Sequence, residues 1–286
     1  MNAGLAQSYR YCEELARREA GNFYPAFLLL PAPQRRSMCA LYAFMRIADD
    51  LSDAPGPIPE KRQRLADWRG GFHDALAGLS SHPAHQALHD AVLRHRIPPH
   101  YLEAVIDGVA MDLEPVAYQT FAELRRYCYH VASAVGLSCI HVWGFHGQDA
   151  LHYAEDAGIA FQLTNILRDL GEDAARDRVY LPREDLNRFG YDAHRLKQGV
   201  RDSAFFDLMR FQSRRAHTFY ETGWHLTPRL SPPGQAVFLM MARTYRGLLL
   251  EIEKSNYDVF RQRLRVPRWK KLLFAVTVLP IRFGWM

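Results

Sequence analysis

Apolar residues recur three and four positions apart along most of the chain, over about 7–19, 34–53, 61–78, 99–113, 121–145, 149–176, 203–222 and 235–256. That period marks helices burying one face, and the alternation that would mark strands is nearly absent. Between the periodic segments stand "LLLPAPQ", "DAPGPIPE", "RIPPH", "DLEPVAYQ", "RFGYDAH" and "RLSPPGQ", whose prolines and glycines end helices and turn the chain. The pattern predicts an all-α bundle with short connections. "DAPGPIPEK" is the most linker-like stretch, yet helical periodicity resumes at once. No fixed-period repeat, low-complexity tract or glycine-rich nucleotide loop occurs. A single domain over 1–286 is therefore expected.

Composition changes this picture little. Of the 286 residues 48% are hydrophobic, enough for a sizeable core, and a formal net charge of +5 mildly favours anionic substrates or membrane surfaces. No nucleic-acid partner is expected, and oligomeric state is not legible. Cys12, Cys39, Cys128 and Cys139 form no CxxC pair and fall in apolar or helical stretches. They read as reduced core thiols of a cytoplasmic protein. The opening "MNAGLAQSYRYCEELARREAG" is studded with charges and lacks the apolar centre of a secretory signal. Near the other end, "LLFAVTVL" at 272–279 falls far short of the ~20 residues a spanning helix requires. Arg261, Arg263, Arg265, Arg268, Lys270 and Lys271 precede it. Segment 261–286 thus either closes the core under a solvated basic face or rests on the inner face of an anionic membrane.

Two acidic concentrations carry the chemistry. "RIADDLSD" at 46–53 places Asp49, Asp50 and Asp53 behind an apolar run, although like charges at helical spacing repel by roughly 0.2–0.5 kcal/mol per pair. In "FQLTNILRDLGEDAARDRVYLP" at 161–182, Asn165, Asp169 and Asp173 stand at i, i+4 and i+8, with Gln162 one turn earlier. Each set projects from one helix face. Two such ladders facing across a cavity would hold hard divalent cations, and Mg²⁺ in particular shares its coordination with substrate phosphates. Arg46 and Arg168 beside them suit phosphate oxygens. One ladder alone would read as a solvated helix face, balanced here by Arg176, Arg178 and Arg183. Two ladders against apolar stretches are costly without partners.

At these residues the chain resembles the squalene/phytoene synthase family, which joins two allylic prenyl diphosphates head to head. "RIADDLSD" and "NILRDLGEDAARDRVYLP" look like its two aspartate-rich motifs, and "GNFYPAFLLLP", "ALYAFMRIADD", "YCYHVASAVG" and "ARTYRGLLLEIEKSNYDVF" extend the likeness from about 9 to 271. The resemblance implies an isoprenoid-synthase-type helical bundle around a central apolar cavity. It implies Asp49, Asp53, Asn165, Asp169 and Asp173 as Mg²⁺ ligands, with Asp50 in the motif but outside the ligand positions. Arg46, Arg168, Tyr245 and Arg263 match positions near the diphosphates, as do Gln162 and Tyr180. Tyr42, Phe23 and Phe27 belong to the prenyl pocket. Tyr127 matches the tyrosine assigned to proton handling or cation steering. Ala132, Ser133, Ala134 and Gly136 leave room for a prenyl chain or for helix packing. In two respects the chain departs from the family: Ala20, Gly21 and Asn22 stand where serines are common, and the first motif lacks an aspartate that some members carry.

The implied reaction starts with loss of one diphosphate to Mg²⁺ and the arginines, leaving an allylic cation in a dry cavity. Attack by the second substrate and proton loss give a cyclopropyl diphosphate. The bulk of Phe27 and the overall likeness favour farnesyl diphosphate and presqualene diphosphate, with squalene as an onward product where NADPH delivers hydride. Phytoene from geranylgeranyl diphosphate is the alternative. A terpene cyclase, a chain-elongating prenyltransferase and a non-catalytic membrane scaffold are the competing readings, the last of which predicts eroded ligands.

Overall fold

The computed structural model describes residues 3–21, 23–80, 82–114 and 117–284. Fourteen α-helices follow in chain order: α1 (Ala3–Glu19), α2 (Tyr24–Phe27), α3 (Ala32–Asp53), α4 (Ile58–Leu76), α5 (His85–His95), α6 (Pro99–Met111) and α7 (Phe121–Cys128), then α8 (Ala134–Trp143), α9 (Asp149–Ala175), α10 (Arg183–Arg188), α11 (Ala193–Lys197), α12 (Ser203–Trp224), α13 (Pro232–Lys254) and α14 (Arg268–Arg282). Among the described residues there is no β-strand, only the isolated bridges Ala117–Val179 and Phe145–Leu230. The expectation of an all-α chain holds.

Local chemistry sets the helix ends. Thr120, Asp192, Asp202 and Ser231 accept the first free backbone N–H groups of α7, α11, α12 and α13. Prolines begin α6 and α13, where their missing N–H is no loss. The predicted helix over 121–145 is interrupted. Between α7 and α8 the residues Tyr129–Ser133 form a π turn, one residue wider than an α turn.

Two apolar cores flank the middle of the molecule. The first gathers α1, α3, α4, α5, α6 and α8 around Phe44, which stacks on Trp68 with ring centroids 5.4 Å apart and abuts Phe72. The second gathers α7, α9, α12 and α13 around Leu163, Leu167, Phe205 and Leu249. Helix α9 runs between them, packed against α8, α12, α13 and the π turn. All four cysteines are free and buried, as their sequence context predicts. The apolar run 272–279 lies on α14, but only part of it is covered: Val278 is fully buried while Leu272, Leu273, Val276 and Leu279 are exposed. No described helix is long and apolar enough to cross a membrane.

Candidate active site

Helix α3 presents Tyr42, Arg46 and Asp49 on successive turns to a cavity of about 540 Å³, and ends at Asp53. From the opposite side α9 presents Phe161, Gln162 and Asn165, and α13 contributes Tyr245, whose ring stacks on Phe161 at 4.6 Å. Phe23 and Phe27 close the wall between them. The interior is apolar, lined by Leu41, Val135, Ile140, Trp143, Leu226 and Phe238. Ala20 and Gly21 line the same wall and bring no hydroxyl, while Asn22 lies outside the described residues.

A second lobe of about 960 Å³ shares Gly21, Phe23, Asn165, Met241 and Tyr245 with the first. It carries Arg168 and Arg263 on its wall and is bounded by Lys271, Leu272 and Ala275 at its far side. The expected residues therefore divide. Phe27, Tyr42, Arg46, Asp49 and Gln162 face the first lobe, Arg168 and Arg263 the second, and Phe23, Asn165 and Tyr245 both. Asp53, Asp169, Asp173, Tyr127 and Tyr180 line neither.

Those five have other surroundings. Asp169 is clamped by its neighbour Arg168, which donates through both Nε and Nη2, and by Arg263 at 3.1 Å. Tyr127 is buried and donates its hydroxyl to Asp112 at 3.0 Å, and Tyr180 donates to the same carboxylate at 3.0 Å. Burial first, and the Asp112 charge next, push the Tyr127 phenol far above its ordinary range. Burial and the neighbouring carboxylate thus both favour the neutral Tyr127 hydroxyl over its phenolate.

Asp112, at the C-terminal end of α6, is a residue the sequence reading missed. A carboxylate there opposes the helix dipole, and that misfit is the signal that could have found it. Its own pKa is raised by burial, against the two tyrosine hydroxyls and Arg178. Its charge reaches both ladders, raising Asp49 on α3 and Asp173 on α9. Asp49 is pushed up to about 7, first by surrounding protein that displaces water, then by Asp53, Asp50 and Asp112, against the pull of Arg46. Asp173 is pushed up to about 6, first by burial and then by Asp169. Arg46 pairs at 2.7 Å with Asp50, not Asp49.

Several of these groups are short of partners. The carbonyl oxygen of Asn165 and Nε of Arg46 are buried without a hydrogen bond. Yet among the described residues no three His, Cys, Asp or Glu side chains converge on one point. Hard oxygen donors, reluctant carboxylates and an orphaned amide oxygen fit a divalent cation that completes its shell with phosphate oxygens and water. They do not make a closed site of protein ligands.

The small residues of the π turn and of the first turn of α8 divide between cavity wall and helix packing. Ala132 and Gly136 line the cavity, whereas Ser133 donates to the Glu155 carbonyl at 2.7 Å and packs on α9. A Cβ on Gly158 would lie 2.5 Å from the Ser133 Cα, so α9 and the turn approach as closely as glycine permits.

The family model described as squalene/phytoene synthase matches residues 16–270. A phytoene synthase of Arthrospira platensis is 36% identical over 284 residues, covering 95% of this chain and 92% of that one. A 15-cis-phytoene synthase of Synechococcus elongatus is 36% identical, covering 94% and 92%. Among solved structures, a dehydrosqualene synthase with bound ligand superposes with a TM-score of 0.87 at 29% identity, covering 96% of both chains. A squalene synthase from Alicyclobacillus acidocaldarius shares the fold, with a TM-score of 0.85 at 23% identity over 90% of this chain and 97% of that one. Ladder spacing, an apolar lobe adjoining an arginine-bearing one, and matched length agree: the chain belongs to the squalene/phytoene synthase family, which couples prenyl diphosphates head to head.

Proposed function

We propose that this chain condenses two farnesyl diphosphates head to head to presqualene diphosphate, at the junction of its two lobes. The observation that supports the reading is the two-lobed cavity itself, an apolar lobe and an arginine-bearing one that meet at Asn165 and Tyr245 and together offer room for two substrates. Asp49 and Asp53 on one side, and Asn165, Asp169 and Asp173 on the other, would hold Mg²⁺. When bound, the metal neutralises the diphosphate oxygens as their charge develops.

The chain's own groups do the rest. Arg46, Arg168 and Arg263 bind diphosphate oxygens, and fixed cations aimed at developing charge are a large source of rate enhancement. Arg168 and Arg263 must release Asp169 to do so. Phe23, Phe161 and Tyr245 put aromatic rings on the cavity wall, where a cation held over a ring face gains roughly 0.5–2 kcal/mol. The apolar walls from Leu41 to Phe238 keep out water that would quench it. Asp112 fixes the Tyr127 hydroxyl, and Tyr180 with it, so that their dipoles stay oriented while charge moves.

Farnesyl diphosphate is favoured because Phe27, Trp143 and Phe238 put large rings along the first lobe. A second reading, coupling of two geranylgeranyl diphosphates to phytoene, draws support from the curated relatives at 36% identity, which are named phytoene synthases. Incubation of the purified protein with Mg²⁺ and either substrate, with and without NADPH, separates them by mass spectrometry of the products. Presqualene diphosphate or a C30 hydrocarbon from the C15 substrate is the expected result, with NADPH dependence showing whether squalene is completed. Phytoene from the C20 substrate alone would replace the proposal with the second reading, and no coupled product from either would sink both.

A further inference from the structure

Three helices measure the first lobe from its polar mouth to its far end. On α3 the lining residues run from Asp49 through Arg46 and Tyr42 to Met38, and on α9 from Asn165 through Phe161 and Gly158 to Ala154. Each row covers eleven residues, a helical rise of about 16 Å. On α13 the row runs from Tyr245 to Phe238, and one turn further Gly234 reaches Trp143: a Cβ on that glycine would lie 2.8 Å from the Trp143 Cβ. Tyr245 and Gly234 are again eleven residues apart, so all three helices return the same depth. Trp143 is the last residue of α8 and the last on that helix to line the lobe.

We propose that Trp143 is the chain-length stop of this lobe: its buried indole, backed by Leu226 and Phe238, closes the far end so that a C15 prenyl chain fits above it and a C20 chain does not. Each isoprene unit adds four chain carbons, about 5 Å when extended. Three units match the measured depth, whereas a fourth would have to pass through the indole. A stop must also hold its place. The Trp143 carbonyl accepts a hydrogen bond from Ser231, Gln34 donates to the carbonyl of Val142 at 2.9 Å, and the close approach of Gly234 leaves the tryptophan no room to retreat. Phe27 differs from it in standing on the side wall, edge-on to Tyr42 with ring centroids 6.4 Å apart. Coupling consumes two chains of one length, so closing a single lobe is enough to set the length of the product. That consequence rests on the coupling reaction proposed above; the depth of the lobe does not.

The test uses farnesyl and geranylgeranyl thiodiphosphates, in which sulfur in place of the bridging oxygen keeps the diphosphate from leaving, titrated calorimetrically into the full chain with Mg²⁺. The wild-type chain is expected to take up two equivalents of the C15 compound and one of the C20 compound. Trp143→Ala is expected to take up two of each, and Trp143→Leu, which keeps an apolar side chain in the core, guards against misfolding, checked by circular dichroism. In turnover, both variants should raise kcat/KM for the C20 substrate relative to the C15 substrate by about tenfold or more. Equal uptake of both lengths by the wild-type chain overturns the proposal, whether or not the variants fold. So do folded variants that still take up one equivalent of the C20 compound. Loss of all coupled product, with the expected uptake, would refute the reaction and leave the stop standing.

Discussion

Asp49 and Asp173 are carboxylates that their surroundings discourage from ionising, and this gives the site a measurable pH signature. Below the ordinary carboxylate range each is protonated whether the chain is folded or not. Between that range and the raised value, the folded chain binds the extra proton, so stability falls as pH rises through about 6 for Asp173 and about 7 for Asp49. His85, buried and lowered to about 4, works in the opposite sense on the acid side, so the informative quantity is a difference between variants. In metal-free protein Asp49→Asn is expected to melt like wild type only at the foot of the ordinary carboxylate range, about pH 3.5. At pH 8 it should melt higher by about 1 kcal/mol or ~2–4 °C, a modest figure because Asp49 is open to water at the cavity mouth. The same substitution, and Asp169→Asn, should lower kcat by about 10²–10³-fold with the fold intact. Near-normal turnover in both would remove these residues from the catalytic set. The ladders were legible because helix periodicity alone puts Asp49 with Asp53 and Asn165 with Asp173. Asp112 was not, since its meaning lies in hydroxyls arriving from 15 and 68 residues away.

Among the elements, α9 decides the shape of the site, and glycines decide how closely its neighbours approach it. Gly158 meets the π turn, and Gly223 of α12 would place a Cβ 2.9 Å from Ala157. Both obstructing atoms are backbone, which cannot rotate away. Gly158→Ala is therefore expected to cost about 1–3 kcal/mol in thermal or denaturant melts. It should also reduce turnover, because the turn it displaces carries Ala132 of the cavity wall and leads directly into Gly136 on α8. A melting curve unchanged from wild type would show that the turn yields freely. Most of the long helices could be read from the sequence, where three- and four-residue spacing is sustained over several turns. Helix α5 was missed because its buried Ala87, Leu88, Ala91 and Val92 span little more than one turn between histidines. The π turn carries no periodic signal, being a one-residue slip inside a pattern that continues on either side.

For the molecule as a whole, the two ladders belong to different cores, α3 to the first and α9 to the second. With no three ligands converging among the described residues, neither core should bind the metal firmly alone. Mg²⁺ and inorganic diphosphate added together should raise the melting temperature well beyond the sum of their separate effects, since stabilisation follows binding to the folded state. A purely additive result would mean that the ladders act independently. The cavity between the cores was foreseen from likeness to a family, whereas its division into two lobes emerges only when the tertiary arrangement is known. Between 261 and 282 stand seven of the 36 basic residues and none of the 31 acidic ones, so the rest of the chain nets −2 and the protein is an electric dipole. Such a body turns in the field of a negative surface before touching it, over about a Debye length, ~10 Å at 0.1 M salt. Arg263 sits in that pole and on the second lobe, so the field that aligns the molecule also draws diphosphate heads toward the cavity. Capture of substrate should therefore slow as ionic strength rises, seen as falling kcat/KM at constant kcat.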